Sequence, residues 1–117
     1  MEAFRGMTHI VRLSDYRRRK PKRTYFNRTE LSQLLSLYSD HVSRGEWRDY
    51  AIDHGGGIAV FSVFRHAHDK PLFAIVKTMS PRGPDFAVFD DKRKLRRASN
   101  LPEALEVFVR KLTLVTD

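Results

Sequence analysis

The chain contains no cysteine among its 117 residues. That absence excludes a disulfide framework, a thiol nucleophile and any zinc or iron–sulfur site with cysteine ligands. Long apolar runs are also missing, because the longest, Ile58 to Phe64, is far shorter than the ~20 residues of a membrane-spanning helix. The first residues lack the apolar core of a secretory signal. We therefore expect a cytoplasmic protein with no membrane partner.

The length suits a single globular domain, and the 41% hydrophobic and 31% charged residues are ordinary for one. The net charge of +8 is unevenly distributed. Residues 1–24 contain eight Lys or Arg and two acidic residues, whereas the rest of the chain contains fourteen and twelve. Because a dense basic block repels itself and resists burial, we expect residues 1–23 to form a flexible basic arm and residues 24–117 to form one domain.

The pattern after the arm predicts a helix over residues 28–44. Asn27 and Glu30 have the spacing of a capping box, and Gly45 is typical of a helix end. Apolar residues then recur with a period of 3.6, which predicts that they form the buried face. They are Leu31, Leu34, Leu35, Tyr38 and Val42.

Short segments with strand character follow. They are rich in β-branched and aromatic residues and are separated by turns containing glycine or proline. Connections this short favour an antiparallel meander. The segments are Trp47–Ile52, Ile58–Arg65, Leu72–Met79, Asp85–Phe89 and, as a short fifth strand that the pattern leaves open, Leu95–Ala98.

A second helix is predicted after Asn100, which has Glu103 at capping-box spacing. Its apolar face would comprise Leu101, Ala104, Leu105, Phe108, Val109 and Leu112. The predicted fold class is therefore α+β, a four- to five-stranded antiparallel meander flanked by an N-terminal and a C-terminal helix, in the order α-β-β-β-β-(β)-α.

Both faces of the second strand are apolar. Ile58, Val60 and Phe64 point one way, whereas Ala59, Phe61 and Val63 point the other way. Since a sheet with one solvated face alternates with polar residues, two arrangements remain open. Either one helix covers each side, or both helices cover one side and the other side meets a partner.

Three segments resemble a known family. They are Phe26–Leu35, Gly45–Asp53 and Ala59–Arg65, followed by the closing leucine-rich helix. Together they are similar to a family of small uncharacterised alphaproteobacterial proteins that share a domain of unknown function, over residues 25–115. The resemblance implies a bacterial, cytoplasmic protein, and it implies no activity, cofactor or catalytic residue.

Two basic clusters are the candidate nucleic-acid-binding residues. Lys and Arg on an exposed segment neutralise phosphates and release counterions without reading sequence. The alternatives are a solvated tail for the first cluster and a charged edge strand that resists edge pairing for the second. The first cluster is Arg17, Arg18, Arg19, Lys20, Lys22 and Arg23, and the second is Lys92, Arg93, Lys94, Arg96 and Arg97.

Catalytic and metal patterns are weak. His66 and His68, with Asp69, are too few for a zinc site, which needs three or four convergent ligands. Asp49 and Asp53 would share a strand face, but acids near turns are usually turn formers or ion-pair partners. We therefore predict no enzyme activity, no metal and no cofactor. Trp47 and Tyr50 are interpreted as core residues.

The sequence supports two functional hypotheses. The first is a non-catalytic nucleic-acid-associated protein, with DNA or RNA held through the basic arm at low sequence specificity. The second is a protein-interaction or regulatory module that binds an acidic protein partner, or forms a homodimer through the sheet face. The two hypotheses differ in salt dependence, because phosphate binding weakens steeply as salt rises and an apolar interface does not.

Overall fold

The computed structural model describes residues 23–66 and 70–109. Helix α1 comprises Arg28–Ser43. It begins at a capping box in which Asn27 Oδ1 accepts from the Glu30 amide at 2.8 Å and Glu30 Oε1 accepts from the Asn27 amide at 2.9 Å. Gly45 follows the helix with φ 75°, a left-handed conformation that glycine adopts without strain. The predicted helix and its capping box are confirmed.

A five-stranded antiparallel sheet follows, with strand order β1-β2-β3-β4-β5. Each strand pairs with the next one in the chain, because the connections are too short for a crossover. The meander is confirmed, and the fifth strand is present. The strands are β1 (Asp49–His54), β2 (Ile58–Phe64), β3 (Phe73–Ser80), β4 (Gly83–Asp90) and β5 (Lys94–Ala98).

The C-terminal helix is shorter than predicted. Helix α2 comprises only Leu101–Ala104, capped by Asn100, whose Oδ1 accepts from the Glu103 amide at 2.9 Å. Leu105 ends it with φ −78° and ψ −4°, and residues 106–109 are helical again. Val109, predicted on the buried face, is exposed, and Leu112 lies outside the described residues.

The main core lies between the helices and one side of the sheet, here called the first face. Phe61, Ile75 and Val88 project from this face and are fully buried against residues of α1 and α2, such as Leu34 and Ala104. The opposite side, here called the second face, holds a separate buried cluster formed by strand residues. The second face comprises Ile58, Val60, Ala74, Val76 and Phe89. Both described helices therefore lie on one side of the sheet.

The buried face of α1 is rotated from the predicted one. Leu35 and Val42 are exposed, whereas His41 is buried. The His41 ring stacks on Trp47 with centroids 3.9 Å apart, because the chain after α1 folds back and brings the indole beneath the last turn of the helix. Trp47 is confirmed as a core residue. Tyr50, also predicted in the core, is 40% exposed because β1 is an edge strand.

None of the helices within the described ranges is long and apolar enough to cross a bilayer.

Candidate nucleic-acid interface

The turn between β4 and β5 carries the first bases of the second cluster. Asp90 Oδ1 accepts from the backbone amides of Lys92 and Arg93, both at 2.9 Å. The Asp90 amide in turn donates to the Arg93 carbonyl at 3.0 Å. The amide of Lys92, then that of Arg93, and the two nearby cationic side chains lower the pKa of the Asp90 carboxyl. Asp90 thereby fixes a turn from which both basic side chains extend into solvent.

Strand β5 divides the remaining bases between the two sides of the sheet, as the sequence predicts for a strand. Arg96 lies on the helix side, where its guanidinium Nη2 is 3.1 Å from Glu106 Oε1 and 3.8 Å from Glu103 Oε2. Arg97 lies on the other side and forms a 2.7 Å ion pair between its Nε and Asp85 Oδ2. Both arginines already have carboxylate partners, so they are less available to a phosphate than their neighbours.

Lys94 differs from these two arginines. Its ammonium lies 5.8 Å from the centroid of the Phe89 ring, in a cation–π arrangement. Like Lys92 and Arg93, it is exposed and forms no ion pair with any described residue. Three of the five predicted bases of the second cluster are therefore free to bind an anion.

Further bases lie at the same end of the sheet. Antiparallel pairing brings the start of β1, the end of β2, the start of β3 and the β4–β5 turn to one end of the sheet. The exposed bases at this end form no ion pair within the described parts of the chain. They form a row across the width of the five strands, which is about 19 Å for strands spaced about 4.8 Å apart. This basic end comprises Arg48, Arg65, Lys70, Lys92, Arg93 and Lys94.

Acidic residues accompany the basic end without neutralising it. Asp49, Asp90 and Asp91 lie at the same end of the sheet, but the Asp90 carboxylate already accepts hydrogen bonds from the amides of its own turn. An open cleft at this end is lined by Lys70 and Lys92, with Asp90, Asp91 and two apolar residues of the β2–β3 connection. The surface is shallow and predominantly cationic, which suits an extended polyanion better than a small enclosed ligand.

The first basic cluster lies almost entirely outside the described residues. Of its members the structure places only Arg23, which is exposed and donates from Nη1 to the Tyr25 hydroxyl at 3.3 Å. The Tyr25 ring lies 4.5 Å from that of His54, the last residue of β1. Arg23 and Tyr25 therefore lie at the end of the sheet opposite the basic end, about 20 Å away along strands of six to eight residues.

The structure also contains a buried charge pair that the sequence analysis missed. Lys77 Nζ lies 2.8 Å from Glu30 Oε1 and donates to the Tyr25 carbonyl at 2.9 Å. Both side chains are nearly buried, with 10% and 12% of their surfaces exposed. Lys77 is the one charged residue within the apolar run of β3, which was the available indication of a buried partner.

The acidic and histidine candidates do not form a site. Asp49 and Asp53 share one side of β1, as predicted, and burial raises the pKa of Asp53. His66 is exposed, whereas His68 and Asp69 lie outside the described residues. Within residues 23–66 and 70–109, no three His, Asp or Glu side chains are grouped closely enough to hold a metal ion.

Comparison with known families gives one match. A family model described as a protein of unknown function (DUF2794) matches residues 24–105. The chain belongs to this family. The resemblance detected in the sequence is thus confirmed at the level of the family, and its alphaproteobacterial source stays a prediction. The DUF2794 match begins at Thr24, so it includes the basic end and excludes the arm, residues 1–23. Neither the curated proteins nor the solved structures gave a match.

Proposed function

We propose that this protein is a non-catalytic nucleic-acid-associated protein that binds phosphate backbone with low sequence specificity. The observation that carries the proposal is the group of cations Lys92, Arg93 and Lys94, which form no ion pair with any described residue. This group continues into the row of bases at the same end of the sheet. Ion-paired arginines would have to give up a carboxylate before binding phosphate. These cations need only release their counterions, which is the main source of affinity in backbone binding.

The low specificity follows from the kind of element that carries the bases. Sequence readout in the major groove uses a helix or a two-stranded ribbon whose side chains reach base edges. Here the free bases lie on a turn and on strand ends, and α1 leads directly into the sheet rather than into a second helix. Side chains placed in this way contact the sugar-phosphate backbone, which is the same in every sequence.

The arm bases Arg17–Arg23 complete the proposed surface. Since Arg23 lies at the other end of the sheet, a nucleic acid that contacts both clusters must run along the domain for about 20 Å. That length corresponds to several phosphates on one strand. We further propose that the protein acts in the cytoplasm, without a cofactor or a membrane partner.

A pair of matched variants tests this proposal. Lys92→Gln with Arg93→Gln removes two charges from the basic end, while Arg28→Gln with Arg82→Gln removes two exposed charges from the opposite end. We expect the first variant to bind a mixed-sequence oligonucleotide about tenfold more weakly than the second at about 50 mM salt. Equal weakening in both would mean that only net charge matters, and the basic end would then not be the interface.

A protein-interaction module is the second candidate, and one observation favours it. Leu35 and Val42 lie one turn on either side of Tyr38, whose ring meets that of Tyr50 with centroids 4.8 Å apart. Leu35, Val42 and Tyr50 are all exposed, beside the open edge of β1 in the described sheet. An apolar strip beside a free strand edge suits a protein partner, and such binding would barely respond to salt.

A further inference from the structure

Strand β1 forms an edge of the described sheet that carries none of the usual obstacles to pairing. It pairs with β2 on one side, and no described strand pairs with its other side. The opposite edge, β5, carries Lys94, Arg96 and Arg97, and like charges on facing strands oppose the pairing of two such edges. β1 contains no lysine, arginine or proline. An edge of this kind is open to pairing with a further strand.

The backbone groups that β1 presents at this edge follow from its pairing with β2. The Gly55 amide donates to the Ile58 carbonyl at 2.9 Å, so this opposed pair is hydrogen-bonded. Hydrogen-bonded and non-bonded pairs alternate along an antiparallel ladder, so the backbone groups of Ile52 and His54 point away from β2. Those of Tyr50 point the same way. The open edge therefore presents the backbone of Tyr50, Ile52 and His54.

We propose that this edge pairs with β1 of a second copy of the chain, antiparallel and related by a two-fold axis at Ile52. This register places Ile52 opposite itself and Tyr50 opposite His54, so the outward-facing residues of the two copies meet. The two Ile52 residues then exchange both of their backbone hydrogen bonds, and each His54 amide donates to the Tyr50 carbonyl of the other copy. The Tyr50 amide is not needed, since it already donates to Asp49 Oδ1 at 2.9 Å. The two sheets become one continuous sheet.

Charge favours this register over the neighbouring one. Residues that lie opposite each other project from the same side of a sheet, so the axis can lie at Ile52 or one residue away at Ala51. An axis at Ala51 would place Asp49 opposite Asp53 of the other copy, and like charges in that position are destabilising. An axis at Ile52 places Asp53 opposite Ala51 and Asp49 opposite Gly55. The register that matches the backbone groups therefore also avoids facing carboxylates.

The side chains on the helix side of this edge are apolar in both parts that the axis brings together. Beside Tyr50, α1 exposes the strip of Leu35 and Val42, with 37% and 39% of their surfaces accessible. Beside His54 lies the Tyr25 ring, 4.5 Å away between centroids, and Tyr25 is 48% exposed. Since Tyr50 of one copy faces His54 of the other, pairing would cover these side chains with each other.

Charge is scarce on this part of α1. After Glu30, Asp40 is the one residue of the helix with a formal charge when histidine is neutral. The other exposed positions after Glu30 are serines and the apolar residues Leu35 and Val42. The cores of protein interfaces are depleted in charged residues in the same way. The inference rests on the second candidate function, because it names the partner of this strip, and it is independent of nucleic-acid binding.

Disulfide cross-linking in the full chain tests the position of the axis, because the native protein has no cysteine. Opposed residues of a hydrogen-bonded pair have Cα atoms about 5.5 Å apart, which is within the span of a disulfide. We expect Ile52→Cys to form covalent dimers under mild oxidation about tenfold faster than Ala51→Cys, whose two thiols are displaced from each other along the strands. Met79→Cys, at a 50% exposed position away from β1, measures cross-linking by random collision.

The mass in solution, measured by sedimentation over a dilution series, tests the interface itself. We expect the native chain to reach the mass of two chains, and Val42→Glu to raise the dissociation constant about tenfold or more, because a carboxylate would enter an apolar contact. Met79→Glu introduces the same charge at an exposed apolar position away from the edge and should leave the dissociation constant unchanged.

The mass of a single chain at every concentration would overturn the proposal. The strip would then need a different protein as its partner, so the second candidate function would not fail with it, and the oligonucleotide measurements test the first separately. Equal weakening by Val42→Glu and Met79→Glu would also overturn the proposal. So would cross-linking of Ala51→Cys or Met79→Cys as fast as that of Ile52→Cys.

Discussion

The pair Lys77–Glu30 joins the start of α1 to the middle of the sheet. Glu30 Oε1 accepts from the Asn27 amide and from Lys77 Nζ, so one carboxylate both caps the helix and neutralises a lysine inside an apolar strand. The Tyr25 carbonyl accepts a second hydrogen bond from the Lys77 ammonium, which also lies 5.9 Å from the centroid of the Phe86 ring. Buried charges are tolerated when they are paired and hydrogen-bonded in this way.

Removal of one partner should therefore be costly. We expect Lys77→Met to lower the free energy of unfolding by about 3 kcal/mol, because it leaves the Glu30 carboxylate nearly buried without its counter-charge. Arg44→Met is the control, since Arg44 and Glu46 form an exposed 3.7 Å ion pair worth less than about 0.5 kcal/mol. Denaturant titration measures both, and equal effects would show that the buried pair contributes no more than a surface pair.

Residues that are paired across long sequence separations were the hardest to predict. Asn27 and Glu30 are three positions apart, so their capping box could be recognised from spacing alone. Glu30 and Lys77 are 47 positions apart, and their contact depends on how α1 lies across the sheet. His41 shows the same limit. The apolar periodicity predicted Leu35 and Val42 on the buried face of α1, whereas in the structure His41 is buried and stacks on Trp47.

At the scale of elements, the β4–β5 turn holds the basic end in place. The pKa of Asp90 is lower in the folded chain than in the unfolded chain. Its carboxylate therefore stabilises the fold at any pH above the unfolded pKa, and this contribution is lost as the pH falls through the folded pKa. We expect Asp90→Ala to lower the free energy of unfolding by about 0.5–1 kcal/mol at pH 7, the typical value for such side-chain caps at exposed sites. The difference should disappear at acidic pH, once the carboxyl is protonated in the folded chain as well.

Asp91→Ala is the matched control for that experiment. Asp91 is exposed in the same turn and makes none of the hydrogen bonds that Asp90 accepts from the amides of Lys92 and Arg93. Its removal should leave the free energy of unfolding unchanged at both pH values. A pH-independent loss in Asp90→Ala would mean that the carboxylate charge does not stabilise the turn.

The strands were predictable because each is a short β-branched or aromatic run between turn residues. The C-terminal helix was not, since its apolar pattern continues past the point where the structure turns. The Leu105 amide donates to the Leu101 carbonyl at 2.9 Å and also to that of Glu103, which closes the helix after one turn. A pattern of apolar residues does not record such a local change of hydrogen bonding.

For the whole molecule, the sequence identified basic clusters but not how they are arranged. The fold separates them, with the row of free bases at one end of the sheet and Arg23 at the other. It also assigns Arg96 and Arg97 to carboxylate partners, which no count of bases could show. The prediction that residues 1–23 form a flexible basic arm concerns residues that, Arg23 excepted, lie outside the described ranges.

The most direct test of nucleic-acid binding is the salt dependence of affinity for the full chain. Mixed-sequence DNA and RNA oligonucleotides would be titrated at about 50 and 200 mM salt, with the triple variant Arg17→Glu, Arg18→Glu and Arg19→Glu beside the native chain. For as few as three phosphate contacts we expect the native affinity to fall about fortyfold over this range, and the variant to bind more weakly with a shallower slope. Absence of binding at the lower salt, or an affinity that does not change with salt, would contradict the account.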